Sequence, residues 1–143
     1  MLDKTTNLKS ILSDPSLLQT QAFINNEWVD AENGTTFEVI NPARKDVIAS
    51  VADLSRSDLA GAIKGAEAAQ KKWAALSAKE RSNILRKWFN LMMENQADLA
   101  KILTAEMGKP LAESMGEIAY GASFVEFFAE EAKRNYGETI PGH

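Results

Sequence analysis

Apolar and polar positions along the chain change period twice, dividing it into three stretches. Residues 1–20 are polar and poorly periodic, with a turn at Ser13-Asp-Pro15 and a short helical stretch at Leu17-Leu18, and read as a poorly ordered amino-terminal segment. From Gln21 the pattern becomes strand-like. Ala22-Phe-Ile24 and Trp28-Val29 flank Asn25-Asn26-Glu27, a tight hairpin signal because Asn tolerates the positive φ such turns need. Asn33-Gly34 repeats that turn chemistry. Thr36-Phe-Glu-Val-Ile40 is rich in β-branched and aromatic residues, and Val47-Ile-Ala-Ser-Val51 alternates after the break at Asn41-Pro42. Residues 21–52 therefore predict a small antiparallel sheet, too short to stand without a larger support.

The remainder predicts helices. Ser55-Arg-Ser-Asp58 resembles a capping box, and Leu59, Ala62, Ile63, Ala66 and Trp73 follow on one face. Ser77-Ala-Lys-Glu80 repeats the signal ahead of a stripe of Ile84, Leu85, Trp88, Leu91 and Met92. A third helix begins near Asn95, turns Leu99, Ile102 and Leu103 inward, and stops at Gly108. From Pro110 to Gly137 no proline interrupts, predicting a helix on the order of 40 Å long at about 1.5 Å per residue. Met115, Ile118, Ala119, Ala122, Phe124, Val125, Phe127, Phe128 and Ala132 spread over more than one of its faces, so it expects neighbours on two sides.

Composition narrows the class. With 143 residues, 45% hydrophobic and 25% charged, the chain suits one soluble globular domain. A net charge of -4 gives no basic excess for phosphates, so nucleic acid is not an expected partner. Apolar runs of a few residues fall far short of the roughly 20 that span a bilayer, and no membrane association is expected. The polar start lacks a secretory pattern, which makes a cytoplasmic location the expectation. The chain has no cysteine, hence no disulfide, thiolate metal ligand or cysteine nucleophile of its own.

Local chemistry is sparse. Glu113 with Glu117, and Glu126 with Glu130, sit four apart where two acids could share a proton, although a solvated acidic face is the plainer reading. His143 is the one histidine and has no partner in view. Neither G-x-G-x-x-G, nor G-x-x-x-x-G-K-[ST], nor H-E-x-x-H occurs. Glu106-Met-Gly108-Lys109-Pro110 is explained locally as a left-handed cap, a cation at a helix end and a proline opening the next helix.

Taken together, several strings carry more. Phe23-Ile-Asn-Asn-Glu-Trp28, Phe37-Glu-Val-Ile-Asn41-Pro42 and Leu103-Thr-Ala-Glu-Met-Gly-Lys-Pro110 resemble, in order and spacing, the opening hairpin, the strand with its Asn-Pro turn and the E-x-G-K-P signature of the aldehyde dehydrogenase superfamily. Trp88-Phe-Asn-Leu-Met-Met-Glu94, Gly116-Glu-Ile-Ala-Tyr120 and Ala122-Ser-Phe-Val-Glu-Phe-Phe-Ala-Glu-Glu131 are similar to the succinate-semialdehyde branch. The resemblance runs through residues 21–143 but covers under a third of a typical relative. It implies oxidation of succinate semialdehyde with NAD or NADP, in 4-aminobutyrate breakdown, by a homo-oligomer. It also implies that the cysteine, the oxyanion asparagine and the dinucleotide cleft lie outside these residues. No catalytic or cofactor-binding residue is then expected here, no NAD or NADP on this chain alone, and no turnover. Two lesser roles map by position: a monovalent cation held at Val39, Ile40 and Glu106, and a substrate entrance contributed by Tyr120 and Phe124.

The expected fold is α+β: four helices with a small antiparallel sheet, forming the amino-terminal part of the α/β aldehyde dehydrogenase architecture. Its divisions are a poorly ordered segment 1–20, a part of the dinucleotide-binding domain over 21–137 (sheet 21–52, helices 56–136), and the start of a strand toward the oligomerisation region at 138–143. The rival reading is a free-standing helical module that binds a protein through the apolar faces of its last helix.

Overall fold

The computed structural model of the chain describes residues 8–142. Two short 3-10 turns, Leu8–Ile11 and Pro15–Leu17, precede four strands: β1 (Ala22–Ile24), β2 (Glu27–Val29), β3 (Thr36–Ile40) and β4 (Val47–Ala52). Four helices follow: α1 (Arg56–Ala75), α2 (Ala78–Glu94), α3 (Gln96–Met107) and α4 (Leu111–Glu131). The expected class of four helices with small antiparallel pairing is what forms.

The single sheet expected over 21–52 is instead two separate ribbons, β1-β2 and β3-β4, each antiparallel. The turn of each touches a different helix. In the first, Asn25 and Asn26 take positive φ (54° and 66°), as the two-residue hairpin demands. The Asn25 side chain meets α1 at Gly65, where a Cβ would stand 1.8 Å from Asn25 Oδ1. In the second, the Asn41-Pro42 turn meets the end of α3 at Gly108, where a Cβ would stand 2.9 Å from Pro42 Cγ. Gly108 also holds φ 82°, the left-handed cap that glycine accepts without steric cost.

Both capping boxes close as read. Ser55 and Asp58 exchange side-chain and backbone hydrogen bonds at the start of α1, and Ser77 and Glu80 do so for α2. Those bonds hold both carboxyls below their ordinary values, the serine hydroxyl being the largest cause in each. Helix α4 is shorter than the predicted run to Gly137. After Glu131 the Lys133 and Arg134 amides fold back three residues onto the Glu130 and Glu131 carbonyls, and their side chains pair with the same two acids. Residues 138–142 carry no strand. His143 lies outside the described residues.

Helix α4 packs on α2 and α3. Its fully buried residues are Ser114, Ala122 and Ala129, small side chains recurring at about two turns, which let backbones approach closely. Thr104 and Ser114 share a hydroxyl hydrogen bond of 2.8 Å, and Gln96 Nε2 donates to the Met115 carbonyl at 2.8 Å. Arg86 of α2 grips Glu126 (2.6 Å) and Glu130 (2.5 Å), one turn apart on α4.

Helix α1 departs from expectation, since none of its residues is buried. Of its apolar stripe, Leu59 is 56% exposed and Ile63 59%. Ile84, Trp88 and Leu91 on α2 are exposed as well. A compact chain of 15.7 kDa would expose about 7,300 Å². This one exposes 10,664 Å², and Leu59, Ile63, Ile84, Trp88 and Leu91 of the stripes that periodicity marked as inward-facing are among its exposed large apolar side chains.

The expectation of a poorly ordered start covered residues 1–20. Residues 1–7 lie outside the described residues, while Leu8, Leu12 and Leu18 form a buried cluster against Ile48, Ile102 and Ala105. Asp98, on the first turn of α3, is buried and uses both carboxylate oxygens. Oδ2 accepts from the Asp14 amide and Oδ1 from Lys101 Nζ, each at 2.8 Å. Lys101 Nζ also donates to the Ile11 carbonyl at 2.9 Å. The Lys101 ammonium first, and the Asp14 amide second, hold the Asp98 carboxyl below its ordinary value of 3.8. A depressed folded-state pKa contributes stability that is complete above the unfolded value and lost as pH falls through the folded one. Asp98→Asn is therefore expected to lower urea resistance at pH 6, with the gap to the parent narrowing as pH falls below 3.8. A gap independent of pH would remove the carboxylate from the account.

Candidate functional site

Two places bring together residues singled out from the sequence. The first lies where the Asn41-Pro42 turn meets the last turn of α3. Asn41 is buried, and its Oδ1 accepts from the Ala43 and Arg44 amides at 3.0 Å each, closing the turn from within. Arg44 answers Asp46 through two hydrogen bonds of 3.0 and 2.7 Å. The main-chain ladder closes above with Asn41 N donating to Asp46 O at 2.9 Å. Beside this turn opens a cleft of about 370 Å³, lined by Leu8, Ile11, Arg44 and Ile48 and, from α3, Thr104 and Ala105.

Val39 and Ile40 sit at the end of β3, immediately before this turn, and a register irregularity falls between them: Val39 faces Ala49 while Ile40 faces Val47. Ile48 is thus the extra residue of a bulge, a device that bends a strand and loosens its hydrogen-bond ladder. Glu106 lies on the last turn of α3, exposed. The contact of Pro42 with Gly108 brings the two segments side by side, although the cleft is lined by the neighbours of Val39, Ile40 and Glu106 rather than by those residues.

The second place is the outer face of α4. Tyr120 and Phe124, one turn apart, meet edge to face with ring centroids 4.9 Å apart, and both are open to solvent, Tyr120 at 66% and Phe124 at 48%. Phe127 and Phe128 form a second edge-to-face pair at 5.3 Å. Ser123, Phe124, Phe127 and Phe128 border an open apolar depression along this ledge. Offset and edge-to-face ring pairs of this kind are favourable beyond their contact area.

Three of the four acids singled out by spacing have basic partners. Glu117 pairs with Lys109, and Glu126 and Glu130 with Arg86. Lys133 first, then Arg86, hold the Glu130 carboxyl below its ordinary value, the reverse of what a shared proton produces. The same two glutamates raise the Arg86 guanidinium above its own. Among the described residues no cluster of three or more His, Asp or Glu side chains could hold a metal ion, and no helix is long and apolar enough to cross a membrane. Sequence reasoning passed over the Asp98–Lys101 pair and the buried Asn41 side chain. An acid in the first turn of a helix with a lysine three residues on is a signal that could have marked the former.

Comparison with known proteins shows where this segment belongs. The model of the aldehyde dehydrogenase family matches residues 28–143. Glutarate-semialdehyde dehydrogenase of Pseudomonas putida is 58% identical over 132 residues, which are 92% of this chain and 28% of that protein. The NADP-dependent succinate-semialdehyde dehydrogenase of Escherichia coli is 56% identical, covering 92% and 27%. A crystal structure of an Escherichia coli NADP-dependent enzyme superposes with a TM-score of 0.89 at 56% identity, again over 92% of this chain and 27% of the other. That of succinate-semialdehyde dehydrogenase from Burkholderia pseudomallei gives 0.89 at 51%. The chain spans 27–28% of the length of the two curated relatives named here. With the β3-β4 hairpin, the Gly108 corner and the four helices all inside the matched region, the chain belongs to the aldehyde dehydrogenase family.

Proposed function

We propose that this segment is the amino-terminal part of an NAD(P)-dependent dehydrogenase that oxidises succinate semialdehyde to succinate, working in 4-aminobutyrate degradation as a cytoplasmic homo-oligomer. One observation carries the reading: 56% identity, over 92% of the chain, to an enzyme that acts on succinate semialdehyde with NADP. Relatives acting on glutarate semialdehyde and 3-sulfolactaldehyde, at 58% and 53%, widen the substrate class to short aldehydes with an acid group at the far end.

The oxidation removes two electrons from the aldehyde carbon as hydride, which the nicotinamide accepts when bound, and water supplies the second oxygen of the carboxylate. Having no cysteine and no glycine-rich dinucleotide turn, these 143 residues do not fit a role as nucleophile or cofactor cradle. Their part is to shape and support. The exposed apolar stripes of α1 and α2 support a large body of polypeptide packing on them, because contiguous exposed apolar faces mark contact surfaces. A free-standing interaction module would also show apolar surface. It is not favoured, because it leaves the identity to enzymes without a cause.

Within that whole, Tyr120 and Phe124 form a wall of the substrate entrance, supported by their exposure and mutual packing on an apolar ledge. The carbonyls of Val39 and Ile40 and the carboxylate of Glu106 hold a monovalent cation. Oxygen donors suit a hard ion, and the bulge loosens the ladder where two of them lie.

The intact protein carrying this segment is expected to reduce NADP or NAD with succinate semialdehyde, and more slowly with an uncharged aldehyde of equal length. Equal rates would dismiss the acid-tailed substrate class, and no reduction with any aldehyde would dismiss the enzyme. Replacing potassium and sodium by choline in that assay is expected to lower the melting temperature and the rate together if the cation site is real; unchanged values would reject it. Phe124→Ala is expected to raise KM for the semialdehyde by about tenfold with little change in kcat. A lower melting temperature with KM unchanged would make Phe124 a packing residue only.

A further inference from the structure

We infer that Asn33 is this segment's site of spontaneous deamidation, and that the hydrogen bonds closing the turn around it, from Gly34 to Ala31 and from Thr35 to Asn33, set how fast it proceeds. Asn33-Gly34 is the one Asn-Gly pair in the sequence. The Gly34 amide nitrogen, giving up its proton, bonds to Asn33 Cγ; the Cγ–Nδ2 bond breaks, and ammonia leaves with that proton. One water then opens the resulting cyclic imide at either carbonyl, to aspartate or to isoaspartate. Nothing is oxidised or reduced, and water is the only co-reactant. A side chain on the residue after the asparagine crowds the ring closure, and glycine has none.

The position suits this chemistry. Asn33 lies in the turn between β2 and β3 and is exposed. Asp30, Glu32, Thr35 and Thr36 around it are exposed polar residues, and only Ala31 turns inward. Such a turn has no apolar face of the kind α1 and α2 carry, so water keeps its access. Other asparagines are worse placed. Asn83 and Asn90 lie within α2, where the next amide is committed to the helix. Asn41 precedes Pro42, whose nitrogen has no proton to give. Asn135 is exposed, but the Tyr136 side chain crowds its ring closure.

The same turn holds the reaction back. Gly34 N donates to the Ala31 carbonyl at 2.8 Å, so the attacking nitrogen is engaged. Asn33 Oδ1 accepts from Thr35 N at 3.0 Å and from Thr35 Oγ1 at 2.7 Å, an Asx turn that fixes the carbon under attack. Thr35 Oγ1 has one proton, and the Asp53 carbonyl at 3.0 Å competes for it, so the hydroxyl's hold on Asn33 is shared. Closed, the turn is unreactive; opening frees nitrogen and carbon together. Thr36, opposite Ala52, starts the β3-β4 ribbon, so the longer main chain of isoaspartate falls at the head of that ribbon.

Peptide mass spectrometry on the intact protein, aged warm at mildly alkaline pH, tests this. Asn33 is expected to convert ahead of every other asparagine, giving both products. Unfolding the parent in urea is expected to speed Asn33 by about tenfold or more. Folded Thr35→Val is expected to speed it by about threefold to tenfold, the worth of one hydroxyl hydrogen bond, while Thr35→Ser holds the parent's rate. The inference is overturned if another asparagine converts first, if unfolding leaves the Asn33 rate unchanged, if Thr35→Val keeps the parent's rate, or if Thr35→Ser is as fast as Thr35→Val. The urea comparison uses the parent alone, so it decides even where a variant fails to fold.

Discussion

The approach of α4 to α2 and α3 is the constraint on which the rest of this structure hangs. Where the three helices meet, the α4 residues wholly removed from solvent are a serine and two alanines, so the helices lie close without large interlocking side chains. Close approach leaves little apolar area to bury and shifts the work of orientation to polar contacts: the Thr104–Ser114 hydroxyl pair, the Gln96 amide on the Met115 carbonyl, and Arg86 spanning two acids of α4. Hydrogen bonds to charged groups are directional and stronger than neutral ones, so they fix rotation about the helix axis better than methyl groups would. With that rotation set, Tyr120, Phe124 and Phe127 have one place to go, which is outward.

An outward aromatic ledge is costly in isolation. Each large apolar side chain left in water forgoes about 1.5–3 kcal/mol of burial. The same sacrifice is repeated along α1, where Leu59 and Ile63 stand open, and along α2 at Ile84, Trp88 and Leu91. Scattered exposed leucines are ordinary, whereas stripes at helical spacing on three of the four helices are not. They are faces of the kind that the larger fold proposed above would cover, and they leave a chain with 45% hydrophobic residues burying few of them.

Much of this was legible in the sequence, and the reasons differ by element. Both capping boxes, the Asn25-Asn26 turn and the Gly108 stop depend on residues within four positions of one another, so local chemistry decides them. The stripes were legible as stripes, but periodicity says which residues seek a partner and not whether that partner lies within the same 143 residues. The division of the strands into two ribbons was not legible, because it turns on which helix each hairpin touches, Asn25 on Gly65 and Pro42 on Gly108, contacts about 40 and 66 positions apart. Nor was the order of residues 8–18, whose apolar positions are too few to establish a period and whose main chain is held by a lysine and an aspartate some eighty to ninety positions away.

The acids of α4 show the same limit in chemical form. Two carboxylates four apart on a helix are ambiguous by themselves: brought together in an apolar pocket they share a proton, while a guanidinium between them can pair with each. Which happens is settled by Arg86, forty positions before Glu126 and on another helix. Its fork reaches Glu126 with one nitrogen and Glu130 with the other, and the Glu130 carboxyl is pulled down, by Lys133 and then by Arg86. A pair that looked from its spacing like a place for acid–base chemistry is thereby a clamp between α2 and α4. The sites of interest in this segment are instead the places where packing stops short: the bulge before Asn41, the cleft beside it, and the aromatic face that α4 turns away from its neighbours.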